Sequence, residues 1–212
     1  MLETIQTIEE NRRGALVIME SGEKLWFSRE ALCQRPTLQP GQELDMEQTR
    51  SWLLPRQYPE ALNTAVAMLA QRARASGEIK KKLAQKPYMD DTVDMVLYKL
   101  KKEGLLDDQT FAREWAASRS RCQMGKARIL QELKQKGIDR ETAQAALEEL
   151  DQEEKDEAAA ALAYRLAKRH IGESDSRKAM QKMLMAMARR GYGYEESRAA
   201  IQRALEQLEE EA

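Results

Sequence analysis

Three stretches of this chain carry one pattern. Ile79-Lys80-Lys81-Lys82-Leu83 leads into Lys86-Pro87-Tyr88, Ile129-Leu130-Gln131-Glu132-Leu133 into Lys136-Gly137-Ile138, and Met183-Leu184-Met185-Ala186-Met187 into Arg190-Gly191-Tyr192. Each has two large apolar residues at i and i+4, then a basic residue, a turn residue and another large apolar residue. Residues four apart share one face of a helix, so the pair marks a buried stripe. Gly or Pro stops the helix, and the apolar residue beyond it pins the turn to a core. The register continues downstream. A constant shift of 50 positions carries Ile79 to Ile129, and Val93, Val96, Leu97 and Leu100 to Ala143, Ala146, Leu147 and Leu150. A shift of 54 carries those on to Ser197, Ala200, Ile201 and Ala204. Self-similarity at a fixed period is the mark of a tandem repeat, in which each unit buries its apolar face against its own helices and its neighbours.

The expected fold is therefore all-α: tandem repeats of three-helix units forming an elongated, curved array. A small N-terminal β-hairpin/α extension precedes them. The expected divisions are 1–58 for the extension, then repeats at 59–104, 105–150 and 151–212. Pro87 stands where the other copies have Gly137 and Gly191. Proline cannot take the left-handed conformation a glycine there would adopt, so the first unit must turn differently. The first unit starts near Glu60 with a stripe of Leu62, Ala65, Val66 and Leu69. Ser76 is a candidate N-cap for its second helix over 77–85, and its third runs over 90–102. Asp107 or Asp108 caps the helix that opens the second unit, whose other helices cover 126–136 and 139–150. The third unit begins with an Ala-rich helix over 151–170, broken at Gly172-Glu173-Ser174. Met180, Met183 and Met187 then form a core stripe, and the last helix runs to about Leu208.

Upstream, Ala15 to Glu20 and Glu23 to Ser28 read as the two strands of a hairpin around Ser21-Gly22. Ser28 caps a short helix through Gln34. Pro36, Pro40 and Gly41 break the chain, Gln42 to Leu44 adds a short strand, and Met46 to Leu54 a short helix. Pro55 and Pro59 mark the boundary with the repeats. Trp26 and Trp52 are expected in the core of this extension.

Charged residues make up 33% of the 212 and aromatics 5%, which suits solvated helices around Leu, Ala and Met cores. The formal net charge of −1 hides a segregation. Residues 71–128 are rich in Lys and Arg, as is the stretch from Arg165 to Arg190. Between them lie Glu148, Glu149, Asp151, Glu153, Glu154, Asp156 and Glu157, and the tail is acidic at Glu206 and Glu209 to Glu211. Such blocks fit a polyelectrolyte or a charged protein surface as partner, with ordinary wet helix faces as the bland alternative.

Enzymatic chemistry is poorly supported, and no catalytic, cofactor-binding or metal-ligating residue is assigned. His170 is the one histidine. It sits near a helix end, where a solvated or dipole-bound imidazole is the ordinary case. Asp107 and Asp108 read as a helix cap rather than a metal or acid–base pair. There is no zinc spacing, P-loop or GxSxG elbow. Gly191-Tyr192-Gly193-Tyr194 lacks the strand that precedes a phosphate loop. Cys33 and Cys122 are expected as free, reduced thiols. With no signal-like segment and no apolar run near the ~18 residues of a membrane span, a cytoplasmic protein without a membrane partner is expected.

The stretch Glu103-Gly104-Leu105-Leu106-Asp107-Asp108-Gln109-Thr110-Phe111-Ala112-Arg113-Glu114-Trp115 resembles the RecX family. So do the residues after it: Ser118-Arg119, Gly125, Arg128-Ile129, Glu132-Leu133 and Lys136-Gly137-Ile138. The likeness extends from about Glu60 to Leu208, and the N-terminal hairpin looks like the extension some members carry. Pro87, in place of the family's Gly, and Ala204, in place of a larger apolar residue, depart from the pattern. The resemblance implies a regulator of the bacterial RecA recombinase. Such proteins bind the RecA–single-stranded DNA filament along its groove, block strand exchange and ATP hydrolysis, and favour filament shrinkage. A monomer without cofactors is expected, reaching single-stranded DNA directly or through the filament. The candidate contact residues are Lys80, Lys81, Lys82, Arg119, Lys126 and Arg128 in the first two units, and Arg165, Lys168 and Arg169 in the third. Lys80 to Lys82 cannot all face one way, because successive helical residues are ~100° apart. The other readings are a direct DNA-binding helical protein, whose affinity would fall steeply with salt, and a non-catalytic helical scaffold.

Overall fold

In the computed structural model the described residues are 1–34, 37–150, 152–172 and 175–211, with the backbone alone of Glu153 and Glu154. The features expected at Pro36, Asp151, Glu173 and Ser174, and the side chains of Glu153 and Glu154, lie outside them. Two compact units divide the chain, Met1–Asp107 and Asp108–Ala212.

The expected hairpin is present as β2 (Gly14–Met19) and β3 (Lys24–Ser28), but it belongs to a four-stranded antiparallel sheet. β1 (Leu2–Asn11) pairs with β2 on one side and with β4 (Glu43–Asp45) on the other, giving the order β3-β2-β1-β4. β1 hides from pattern reading because its two isoleucines are three apart, the wrong spacing for one face of a strand. The register between β1 and β2 shifts between Ile5 and Thr7. That bulge inserts an extra residue, and both Ile5 and Ile8 then pack on the same core, with Val17, Met19, Leu25 and Phe27. Ser28 caps α1 (Arg29–Cys33) by accepting a hydrogen bond from the Ala31 N–H at 3.2 Å.

No break separates the extension from the repeats. A single 24-residue helix, α2 (Met46–Leu69), runs through the boundary expected at residues 58 and 59. Each proline removes one intrahelical N–H. Ser51, Pro55 and Pro59 follow one another at i, i+4 and i+8, and all three are exposed. The carbonyls of Ser51 and Pro55, which lose their donors, therefore face water, and the helix continues. Its Asp45 N-cap accepts from the Glu47 and Gln48 N–H groups.

One buried glutamine ties sheet and repeat together. Gln57 donates to the Trp26 carbonyl at 2.8 Å and accepts from the Met89 N–H at 3.0 Å and the Thr92 hydroxyl at 3.1 Å. Trp26, expected in the core of the extension, packs instead with the first repeat, against Ala61, Ala65, Ile79, Leu83, Val93 and Val96. A tryptophan on the sheet face turned toward the repeat closes that repeat's core.

The C-terminal half of α2 serves as the first repeat's first helix, followed by α3 (Ser76–Leu83) and α4 (Asp90–Lys102). Its stripe is Ala61 and Ala65, flanked by Leu62 and Leu69, whereas Val66 is 42% exposed. Ala75, not Ser76, is the N-cap of α3, and Glu78 reaches back to the Ala75 N–H at 3.3 Å. Across Pro87 the chain turns tightly: the Tyr88 N–H bonds the Lys86 carbonyl at 2.8 Å.

The second unit holds α5 (Asp108–Arg121), α6 (Lys126–Gln135) and α7 (Arg140–Glu148), then α8 (Gln152–His170), α9 (Ser176–Arg189) and α10 (Tyr194–Glu210). Ile129, Leu133, Met183, Met187 and Ile201 are each at most 2% exposed. Burying side chains of this size stabilises by roughly 1.5–3 kcal/mol each. The methionine stripe is core, as its spacing requires, with Met180 partly covered beside it. Gly137 (φ 79°) and Gly191 (φ 91°) end α6 and α9 in the left-handed conformation. The next residue bonds back five positions, Ile138 to the Leu133 carbonyl at 3.1 Å and Tyr192 to Met187 at 3.2 Å, in the glycine-dependent helix stop. Gln123 does the same work after α5 without being glycine (φ 57°), the Met124 N–H bonding the Arg119 carbonyl at 3.1 Å.

The second and third repeats join through backbone. The Gly125 N–H donates to the Arg190 carbonyl at 2.8 Å and the Ala127 N–H to the Gly191 carbonyl at 3.1 Å. The C-terminal carbonyls of α9 thus cap the N-terminus of α6, joining opposite ends of two helix dipoles. A Cβ on Gly125 would lie 2.5 Å from the Gly191 carbonyl, and one on Gly191 2.4 Å from the Arg128 nitrogen.

Candidate partner-binding surface

The nine candidate residues fall on three helical segments. Lys80, Lys81 and Lys82 are all exposed on α3, in the first unit. Lys80 lies 3.4 Å from Asp94 of α4, with both side chains more than half exposed, and Lys82 lies 3.0 Å from Gln85. Water screens contacts of this kind, so these lysines are held loosely and remain available to an acidic partner.

Arg119 and Arg128 are held much more firmly. Trp115 stacks against Phe111 with ring centroids 5.9 Å apart, and the Arg119 guanidinium lies 4.1 Å from the Trp115 ring. Lys136, the C-cap of α6, places its ammonium 4.0 Å from the same ring. Glu132 collects the set. It accepts from Trp115 Nε1 at 3.2 Å, from Arg119 Nε at 2.8 Å and from Arg128 Nε at 3.2 Å. Its side chain is 15% exposed, which strengthens these bonds over surface pairs. Two ladders at i, i+4 and i+8 build the cluster: Phe111, Trp115 and Arg119 on α5, and Arg128, Glu132 and Lys136 on α6. That spacing is visible in the sequence, and with it Glu132 and Lys136 could have been placed beside Trp115. Lys126 is exposed at the first position of α6, two residues before Arg128.

Arg165, Lys168 and Arg169 are exposed on the last turns of α8, where cations oppose the negative end of the helix dipole. Lys168 also acts on Glu211. The Tyr164 hydroxyl donates to that carboxylate at 2.7 Å, and this bond, the Gln207 amide and then Lys168 hold it below the usual glutamate range. Elsewhere, Asp139 caps α7 by accepting from the Thr142 N–H and hydroxyl, both at 2.8 Å, and these bonds hold its carboxyl below the ordinary value. Among the described residues no group of three or more His, Cys, Asp or Glu is placed to hold a metal. No described helix is long and apolar enough to cross a membrane. Cys33 and Cys122 are free and exposed.

These features define a tandem three-helix-repeat protein with a small β-sheet extension. Family comparison places the repeats: the family model for the RecX first three-helix domain matches residues 61–100, and that for the second matches residues 107–147. The chain belongs to the RecX family. A regulatory protein RecX of Mycolicibacterium smegmatis is 37% identical over 119 residues, 55% of this chain and 62% of that protein. One from Prosthecochloris aestuarii is 39% identical over 93 residues, 43% of this chain and 62% of its own length. One from Escherichia fergusonii is 41% identical over 105 residues, covering 44% of this chain and 63% of that one. The chain thus spans less than two thirds of the length of the curated relatives it matches. In fold it resembles a crystal structure of regulatory protein RecX, with a TM-score of 0.63 at 24% identity over 95% of this chain and 99% of that one. A second likeness, to RecX from Lactobacillus salivarius, has a TM-score of 0.65 at 24% identity over 73% and 99%.

Proposed function

We propose that this protein binds the filament that RecA forms on single-stranded DNA and restrains RecA's recombinase and ATPase activities, thereby modulating recombination and DNA repair. It does so as a cytoplasmic, non-catalytic monomer. The observation that carries this reading is the coincidence of the two matched RecX domains, residues 61–100 and 107–147, with the helices that bear Lys80 to Lys82, Arg119, Lys126 and Arg128. These cations meet filament carboxylates or DNA phosphates, and separate repeats reach neighbouring RecA subunits. Bridging then holds the subunit interface away from the geometry that hydrolyses ATP.

Within this reading the cations differ in how free they are to meet a partner. Lys126 leads, being exposed at the start of α6. Arg128 shares Glu132 with Arg119, so part of its charge is already answered. Arg119, braced by Trp115 as well, acts mainly by holding the cluster in shape.

The test is ATP hydrolysis by RecA on single-stranded DNA, with this protein titrated in below one copy per recombinase subunit. Inhibition in that range supports filament binding. Inhibition only once the DNA is saturated supports direct DNA binding, and no effect from a folded protein rejects the reading. The double variant Lys126→Glu/Arg128→Glu should inhibit several-fold less while its helicity is kept. Unchanged inhibition removes these two residues from the surface.

A further inference from the structure

Position 132 differs among the three repeats. The fixed register places Lys82 and Ala186 where the second repeat has Glu132, and Glu78 and Lys182 where it has Arg128. The three-helix pattern therefore folds without a carboxylate at this position. Glu132 nevertheless stands beside Arg119 and Arg128 with its side chain 15% exposed. A carboxylate so far removed from water needs hydrogen bonds to offset its lost hydration. Here they are divided between its two oxygens. Oε2 accepts from Trp115 Nε1 and Arg119 Nε, and Oε1 accepts from Arg128 Nε.

This division fixes Arg128 at both ends. At the backbone, the Ala127 N–H donates to the Gly191 carbonyl at 3.1 Å, and α9 ends so close that a Cβ on Gly191 would lie 2.5 Å from the Arg128 Cβ. At the side chain, Glu132 Oε1 takes the Arg128 Nε at 3.2 Å. Trp115 and Arg119 hold the other oxygen, so the carboxylate does not swing away. The terminal nitrogens of Arg128 make no hydrogen bond to any of the described residues, and its side chain is 44% exposed. A guanidinium carries its N–H donors in a rigid planar fork. With Nε engaged, the Nη1 and Nη2 pair remains for a partner, in an orientation the protein sets.

We propose that Glu132 is a positioning residue of the partner-binding surface: it orients the two terminal nitrogens of Arg128 to donate together to one carboxylate of a RecA subunit. This rests on the filament reading above and supplies its contact chemistry. Orientation is what selects a carboxylate. A polyanionic backbone gathers several cations whatever the turn of each, a task suited to the loosely held Lys80 to Lys82. A planar carboxylate takes two parallel N–H bonds from a guanidinium that lies in its own plane. Glu132 offsets part of the Arg128 charge, so its contribution to binding is opposite in sign to the one charge alone would give.

The experiment measures equilibrium binding to fluorescently labelled RecA–single-stranded DNA filaments, with urea unfolding of each free protein alongside. It compares wild type, Glu132→Gln, Arg128→Lys, Arg128→Ala and the double variant Glu132→Gln/Arg128→Ala. Charge alone predicts that Glu132→Gln binds an anionic partner more tightly. Positioning predicts binding about tenfold weaker, the loss expected for a charged hydrogen-bonded contact. Arg128→Lys keeps the charge but loses the fork, and should weaken binding as much. With Arg128 already alanine, Glu132→Gln should add nothing, because it acts through Arg128. Wild-type or tighter binding by Glu132→Gln overturns the proposal. So does wild-type binding by Arg128→Lys, which leaves Glu132 in place and decides even where Glu132→Gln lowers stability. Losses that add in the double variant overturn it in favour of a role in the fold alone. Equal weakening on naked single-stranded DNA makes the acceptor a phosphate and overturns the carboxylate. A wild type that binds no filament overturns the filament reading as well, a result distinct from variants that bind as wild type does.

Discussion

The first repeat and the second are built from the same three-helix pattern yet are closed by different neighbours. The first is closed by a β-sheet: Trp26 enters its core and Gln57 binds groups on β3, on α4 and just before α4. The second is closed by another copy of itself, through two backbone hydrogen bonds at a glycine–glycine contact. Side chains make the first joint and main chain makes the second. A side-chain joint tolerates a different turn, so Pro87 is accepted there. A main-chain joint needs the turn geometry itself, and Gly191 supplies it.

The largest expected effect is on the main-chain joint. Gly191→Val places a Cβ against the Arg128 nitrogen at a φ that valine disfavours, and should cost ~3 kcal/mol or more. Hydrogen exchange resolved by peptide should rise in α6 and α9 and stay unchanged in β1 to β3; protection kept in both would break the comparison. Next comes Gln57→Leu, which leaves the Trp26 carbonyl, the Met89 N–H and the Thr92 hydroxyl without their partner. A loss of about 2–4 kcal/mol, confined to the first unit and read as faster exchange in β3 and α4, is the outcome to look for. Glu132→Gln removes the carboxylate shared by Arg119 and Arg128. Partial exposure of those arginines limits the loss to about 1 kcal/mol, with a shift in Trp115 emission as its signature.

Two smaller effects sharpen the picture of the second unit. Gln123→Gly should raise its stability by up to about 1 kcal/mol, measured by denaturant midpoint, because a non-glycine residue now occupies the left-handed stop. Acid should loosen α7 through Asp139. Its carboxyl sits below the ordinary value of 3.8, so its contribution is complete above that value and fades as pH falls through the depressed native one. Acid titration followed by circular dichroism checks this, and Asp139→Asn should flatten that part of the curve.

The repeat was legible because i, i+4 periodicity and a fixed register survive substitution: α4 falls on the expected residues, and α6 and α9 carry the expected stripes. β1 was not, because a bulge breaks its alternation. The unbroken course of α2 was not, because proline is read as a helix stop unless its solvent-facing position is known. Within the candidate surface, the exposure of Lys80 to Lys82 and Lys126 followed from the apolar stripe opposite them. The bracing of Arg119 did not, since it depends on α5 and α6 meeting at one phase. Gln57 carried no local signal at all: its partners lie 31 to 35 residues away.

The passage of α2 through Pro55 and Pro59 has a consequence for how such chains can vary. A loop between two parts absorbs insertions, whereas a helix converts each inserted residue into rotation. One residue added between Tyr58 and Pro59 would turn the upstream half of α2 by ~100° and move it ~1.5 Å along the axis. Gln57 would then face away from Met89 and Thr92. Length at this position is fixed as tightly as any core residue, although its two prolines lie in water.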